Sequence, residues 1–304
     1  MDPYETDLEK IRASDDPYND IPSHGRYLAQ PDDFRPLPKH IGSTSPGSLA
    51  YWKEVIRRCT EAERIYPNDS GGRDVFALGG VIVKSSHLNE DRGRDYALAD
   101  ANEIAAIELA RPALAELQIR VPEIYFAGKI DGHSVLVQER IPGVGLNVAW
   151  RYLSPDQKHS FKQQIRAVLR KLHEIQPGST DTKVPRSYVV PDPDPVANRG
   201  IQTLERDIIF TEHAGDPDVG LVHMDQSQSN CIVGRGDRIV AIVDWEMAGF
   251  FGWATAADVH RRIRSPRREN YANVNIPEEL MRDILYWNDI YECDERLGDG
   301  LVEQ

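Results

Sequence analysis

Cysteine is scarce: the 304-residue chain holds three, Cys59, Cys231 and Cys293. They lie far apart, so they form neither a disulfide framework nor a metal-ligand spacing. They read as reduced thiols, and the chain is expected in the cytoplasm. Long apolar runs are missing too, and none approaches the ~18 residues that a membrane-crossing helix requires. The opening residues MDPYETDLEK are acidic and carry no apolar segment, so no secretory signal is expected. Positive charge is short: 36 Lys and Arg stand against 49 Asp and Glu, a formal charge of −13. That disfavours a nucleic-acid partner, because phosphate backbones need a basic face, while it allows a cationic small substrate. No G-x-x-x-x-G-K-[ST] occurs, which argues against a P-loop nucleotide fold.

What is present fits a globular chain of 40% hydrophobic and 28% charged residues, long enough for two lobes with a cleft between them. Residues 1–46 are rich in Asp, Pro, Ser and Gly without a sustained apolar period, and read as an irregular N-terminal extension. Residues 47–142 read as a small, β-rich N-lobe. In it, Leu49, Trp52, Val55, Ile56 and Cys59 can share one face of a helix over 48–65. The runs 75–78 and 81–84 flank Gly79–Gly80, a hairpin signal. A helix is expected over 98–117, bent or divided at Pro112, and strands over 122–128 and 133–140. Gly143 is suited to an interlobe hinge. Residues 143–304 read as a larger, mainly helical C-lobe, with a helix from Ser154-Pro155-Asp156 to about Ile175. A Pro-rich surface excursion is expected over 176–199, and another helix over 201–213.

The chemistry is concentrated in residues 221–249, LVHMDQSQSNCIVGRGDRIVAIVDWEMAG. Asp225 and Asn230 have the H-x-D-x-x-x-x-N spacing of a kinase catalytic loop. A carboxylate can orient an acceptor hydroxyl and take its proton. Asn230 and Asp244 can supply oxygen ligands to magnesium. The apolar runs 231–233 and 239–243 flank Gly234-Arg235-Gly236-Asp237, and so form a hairpin that fixes the distance between the two sets. His223 reads as a brace, hydrogen-bonded to backbone carbonyls, and Trp245 as packing. Glu246 is either a second metal ligand or a helix N-terminal charge.

These residues resemble the aminoglycoside phosphotransferase family of small-molecule kinases. Its motifs appear here as His223-Met224-Asp225…Asn230 and Val243-Asp244-Trp245-Glu246. The resemblance covers about residues 70–259 and departs from the family at Met224, where Gly is usual, and in the stretch after Phe251. It implies an α+β, bilobal protein-kinase-like fold and transfer of the γ-phosphoryl group of ATP, with Mg2+, to a hydroxyl of a small molecule. Asp225 is then the catalytic base, and Asn230 with Asp244 holds the metal. On the nucleotide side Lys84 meets the α- and β-phosphates. Glu103, preferred over Glu108, orients it. Gly71 and Gly72 cover the phosphates, and the main-chain groups of Glu139 and Ile141 pair with adenine. The arginines Arg261, Arg262, Arg264, Arg267 and Arg268 read as a solvated face or a grip for an anionic substrate. Asp289, Glu292, Asp294 and Glu295 read as a helix surface or a cationic acceptor site. The alternatives are a choline-type or fructosamine-type kinase of the same fold, or a nucleotide-binding pseudokinase.

Overall fold

A computed structural model describes residues 26–66, 73–89, 94–178 and 186–292. Strand β1 (Arg26–Tyr27) leads through an irregular stretch to helix α1 (Pro46–Arg57), capped by Ser45, whose side chain accepts from the Ser48 N–H. Trp52, Val55, Ile56 and Cys59 are buried, as their spacing requires. The helix stops at Arg57 instead of continuing to Ile65. Thr60 is the cause: its hydroxyl and its N–H both bind the Glu63 carboxylate, at 2.5 and 3.0 Å, and close a turn.

The chain then enters strand β2 (Arg64–Tyr66), followed by β3 (Asp74–Leu78), β4 (Val81–Ser85), β5 (Ile124–Ile130) and β6 (His133–Glu139). They form one antiparallel sheet in the order β2-β3-β4-β6-β5. Gly79 has φ 54°, and a Cβ there would lie 2.3 Å from the Phe34 backbone nitrogen, so the β3–β4 turn requires glycine. Between β4 and β5 runs helix α2 (Ala97–Glu116), unbroken at Pro112. The carbonyl that Pro112 leaves without a donor is that of Glu108, on the exposed side, where water can replace the lost bond. Trp52, Phe76, Val83, Phe126 and Val137 share the core beneath this sheet.

Strand β7 (Gly143–Gly145) opens the second lobe. Helix α3 (Pro155–His173) follows, its N-terminus closed by a reciprocal Ser154–Gln157 capping box. Strands β8 (Ser187–Tyr188), β9 (Gly220–Val222), β10 (Cys231–Gly234), β11 (Arg238–Ile242) and β12 (Gly249–Phe251) complete two small sheets, β1-β7-β10-β11 and β8-β12-β9. Helices α4 (Trp253–Val259) and α5 (Glu278–Ile284) follow. The 176–199 stretch is not a mere surface excursion. Tyr188 is 1% exposed, and the Arg199 guanidinium lies 3.9 Å from its ring centroid while pairing with Asp192 at 2.9 Å. The larger core cluster joins Phe161, Ile165 and Leu169 of α3 to Ala106, Ile107 and Leu114 of α2. Helix α2 thus packs its apolar face into the larger core and meets the N-terminal sheet through Glu103 and Lys84, in an α+β, bilobal fold.

Candidate active site

Lys84 lies near the end of β4, where the sheet meets α2. Its Nζ is 2.7 Å from Glu103 Oε2 and 2.7 Å from Asp244 Oδ1. Glu103 is fully buried, whereas Glu108 faces solvent, so the helix brings the expected one of the two to Lys84. Burial opposes the ammonium charge of Lys84, but Asp244 and Glu103 more than offset it and raise its pKa. Burial also pushes Glu103 up, to about 7. It works the same way on Asp244, but the Lys84 ammonium outweighs it and holds that carboxyl below its ordinary range.

Asp225 comes to the site through a loop pinned at several points. Its N–H donates to His223 Nδ1 at 3.3 Å, so the ring proton sits on Nε2 and is donated to the Val243 carbonyl at 3.0 Å. His223 is fully buried, and burial lowers its pKa to about 4. It is a neutral brace, with one backbone carbonyl and one N–H as partners. Asn230 Nδ2 donates to the Asp225 carbonyl at 2.7 Å, and the Val243 N–H donates to the Asn230 carbonyl at 3.0 Å. Met224 and Asp244 both take left-handed backbone, φ 64° and 68°. That conformation explains why glycine is usual in the first place. Methionine bears the strain here while its side chain, 2% exposed, fills core. Burial pushes Asp225 up to about 6 against the pull of Arg264, yet its side chain keeps 28% exposure.

Carboxylate oxygens of Glu103, Asp244 and Glu246 lie within 4.8 Å of one another, a grouping that can hold a divalent cation. Glu103 Oε1 is buried without a hydrogen-bond partner, which suits an incoming cation or donor. Glu246 starts no helix. It sits in the turn before β12, 3.6 Å from Arg73, which also pairs with Asp100 at 2.5 Å. The helix N-terminal reading of Glu246 therefore falls. Gly71 and Gly72 lie outside the described residues. The Glu139 N–H is donated to the Glu123 carbonyl at 2.8 Å, and its side chain pairs with Arg120. Ile141 is 6% exposed, and its N–H has no acceptor among the described residues.

Asn102 escaped notice in the sequence. It is fully buried, donates to the Glu246 and Ala248 carbonyls at 3.0 and 2.9 Å, and accepts from the Val190 N–H at 2.8 Å. An amide on the inward face of a helix, beside Glu103, was the available signal. The arginine run divides. Arg261, Arg262 and Arg268 pair with surface acids, while Arg264 turns inward to Asp225. Asp289 is engaged by Lys162 and Arg166, and Glu292 lies 3.7 Å from Arg261, while their side chains keep 39% and 57% exposure. Asp294 and Glu295 lie outside the described residues. Among the described residues no helix is long and apolar enough to cross a membrane.

No curated protein sequence matches the chain closely enough to count as a relative. Several solved structures are similar. A streptomycin–ATP ternary complex of APH(2")-IIa is 13% identical, with 81% of this chain and 85% of that one covered and a TM-score of 0.42. A putative fructosamine-3-kinase from Haemophilus somnus 129PT is 19% identical, over 75% and 80% of the chains, with a TM-score of 0.41. Macrolide 2'-phosphotransferase MphH from Brachybacterium faecium is 14% identical, over 80% and 83%, with a TM-score of 0.37. With identities no higher than 19% and TM-scores no higher than 0.42, these likenesses add no functional statement. The family model for the phosphotransferase enzyme family, APH, matches residues 86–255, more than half the chain. That stretch holds Glu103, Asp225, Asn230 and Asp244, and the chain belongs to this family of protein-kinase-like fold.

Proposed function

We propose that the protein is an ATP- and magnesium-dependent phosphotransferase acting on a hydroxyl of a small molecule. The observation that carries this reading is the Lys84 clamp: one ammonium held at 2.7 Å by both a helix glutamate and the aspartate that ends the catalytic hairpin. Such a cation is already aimed where nucleotide phosphates have to lie. Bound, the magnesium nucleotide supplies the γ-phosphoryl group and masks its charge.

The protein's own groups do the rest. Glu103 keeps Lys84 extended toward the α- and β-phosphates, and the backbone at Gly71 and Gly72 covers them. The Glu139 carbonyl and the Ile141 N–H face adenine. Asp244 and the Asn230 side-chain oxygen hold the metal. Asn230 donates one Nδ2 hydrogen to the Asp225 carbonyl, which leaves Oδ1 for a cation. Asp225 orients the acceptor hydroxyl and takes its proton, while His223 fixes the loop. Rate then comes from positioning and from charge placed in advance. The work is assigned to the cytoplasm, in keeping with Cys59 and Cys231 as buried free thiols.

Thermal shift with ATP, with and without magnesium, tests the site. The parent protein should show magnesium-dependent stabilisation, and Asp244→Ala should lose it. Asp225→Asn should keep it while turnover of any acceptor, found as a phosphate mass gain in a screen of hydroxyl compounds, falls roughly 10²–10⁴-fold. No magnesium-dependent stabilisation of the parent sinks the metal site. Equal turnover by Asp225→Asn removes Asp225 from the role of base.

A further inference from the structure

Arg264 ends a wide π-type turn, His260–Arg264, that continues α4. Turns of this kind occur often at functional sites, because the extra residue re-aims the side chains after it. Here Arg264 turns inward, while Arg261 and Arg262 stay on surface acids at 2.7 and 2.6 Å. Its Nη2 bonds Glu205, a carboxylate whose residue is 1% exposed. Its Nε lies 3.4 Å from the Met224 carbonyl and 3.6 Å from Asp225 Oδ1. The last distance is an ion pair beyond hydrogen-bond reach. Arg264 therefore sits beside Asp225 without capping the oxygen that must receive a proton. Its Nη1 makes no hydrogen bond among the described residues, and the side chain keeps 21% exposure. An anchored guanidinium with an unused donor, beside the partly exposed carboxylate of Asp225, is suited to receive a further oxyanion.

We propose that Arg264 is a second catalytic cation, which contacts the phosphoryl oxygens during transfer, and that Glu205 is its positioning residue. The inference rests on the phosphotransferase reading above. Asp225 takes the proton of the acceptor hydroxyl as the new O–P bond forms. The bond from the γ-phosphorus to the bridging oxygen breaks, ADP leaves with that electron pair, and Arg264 stays protonated throughout. Lys84 serves the α- and β-phosphates of the nucleotide, while Arg264 serves the group in transfer. A cation placed in advance where charge is redistributed lowers the barrier without reorganisation.

The test is binding of MgADP, with and without aluminium fluoride as a mimic of the phosphoryl group in flight, measured by calorimetry. In the parent protein the fluoride should tighten MgADP binding. Arg264→Met should lose at least about 10-fold of that increment while MgADP alone binds within about 2-fold of the parent. Arg264→Lys should keep part of it, and Glu205→Gln should lose part, which preserves the test should Arg264→Met fail to fold. An unchanged increment in Arg264→Met, or in both Arg264→Lys and Glu205→Gln, overturns the proposal. So does an equal loss for MgADP with and without fluoride. Failure of MgADP to bind the parent is a different result: it removes the nucleotide reading itself, and this inference with it.

Discussion

Lys84 and Arg264 each lie between a buried glutamate and an aspartate of the 221–249 segment, yet the two clamps differ. Lys84 is closed in, 7% exposed at its side chain, with Glu103 and Asp244 both at 2.7 Å. Arg264 bonds Glu205 but stands 3.6 Å from Asp225, and the two side chains keep 21% and 28% exposure. A closed clamp fixes geometry and must exchange a partner before it can serve a ligand. An open one leaves room for a reactant between cation and carboxylate. In the function proposed above, the nucleotide side is thus held ready by its own ions, while the acceptor side takes its missing partner from the reactants.

Removing each cation is the most severe way to break that comparison. Lys84→Met leaves the fully buried Glu103 uncompensated beside Asp244, whose side chain is 37% exposed, and should cost ~3–5 kcal/mol of stability. Arg264→Met strands the buried Glu205 carboxylate but leaves Asp225 within reach of water, and should cost less, about 2–3 kcal/mol. Urea unfolding of the two variants measures both, and equal losses would remove the distinction between closed and open. The Lys84→Met loss should shrink as pH falls. Burial already pushes Glu103 up to about 7 beside Lys84, and without that ammonium it takes up a proton more readily.

Acid probes the braces of the two sides. Burial pushes both His223 and His260 from an ordinary 6.5 down to about 4. His223 ties the loop of Asp225 to Val243, beside Asp244. His260 lies within 2.9 Å of the Trp287 carbonyl at the start of the Arg264 turn. A histidine lowered in the folded state stabilises fully above about 6.5. Its contribution is lost as pH falls through the folded value, because the unfolded chain takes up the proton first. Stability should therefore decline between about pH 6.5 and 4, by ~1.4 kcal/mol per unit for each ring. Stability measured across that range should show His223→Gln losing one ring's share of the slope. An unchanged slope would mean that His223 titrates normally in the folded protein.

The same division governs what the sequence made legible. The hairpin at Gly79–Gly80, the helix that carries Glu103 and the spacing from Asp225 to Asn230 are local patterns, and the structure places those residues as the patterns imply. Lys84 and Glu103 are separated by 19 positions and sit on consecutive elements. The acceptor side joins residues 205, 225 and 264, and a basic run on a helix reads as a solvated face unless its turn is known to widen. Asn102 and Arg199 were hidden for the same reason. Both donate to the backbone carbonyl of Glu246, and a carbonyl leaves no mark in a sequence. The end of α1 was lost to a side-chain turn at Thr60, which competes with helix at short range.

The smallest effect concerns strain, and it separates a left-handed residue outside both clamps from one inside. Gln118 follows α2 with φ 60° and is exposed. Its N–H donates to the Ala115 carbonyl and that of Ile119 to Leu114, the double bond of a Schellman end that favours glycine. Gln118→Gly should therefore gain about 1 kcal/mol in urea unfolding, with magnesium-nucleotide binding unchanged. Met224 has nearly the same backbone angle, φ 64°, but its side chain is buried in the larger core cluster. Met224→Gly relieves similar strain and opens a cavity whose cost, about 2 kcal/mol or more, exceeds the gain. It should destabilise where Gln118→Gly stabilises. Opposite signs from the same change would show that the loop carrying Asp225 is held by packing rather than by backbone preference; a gain at both positions would show the reverse.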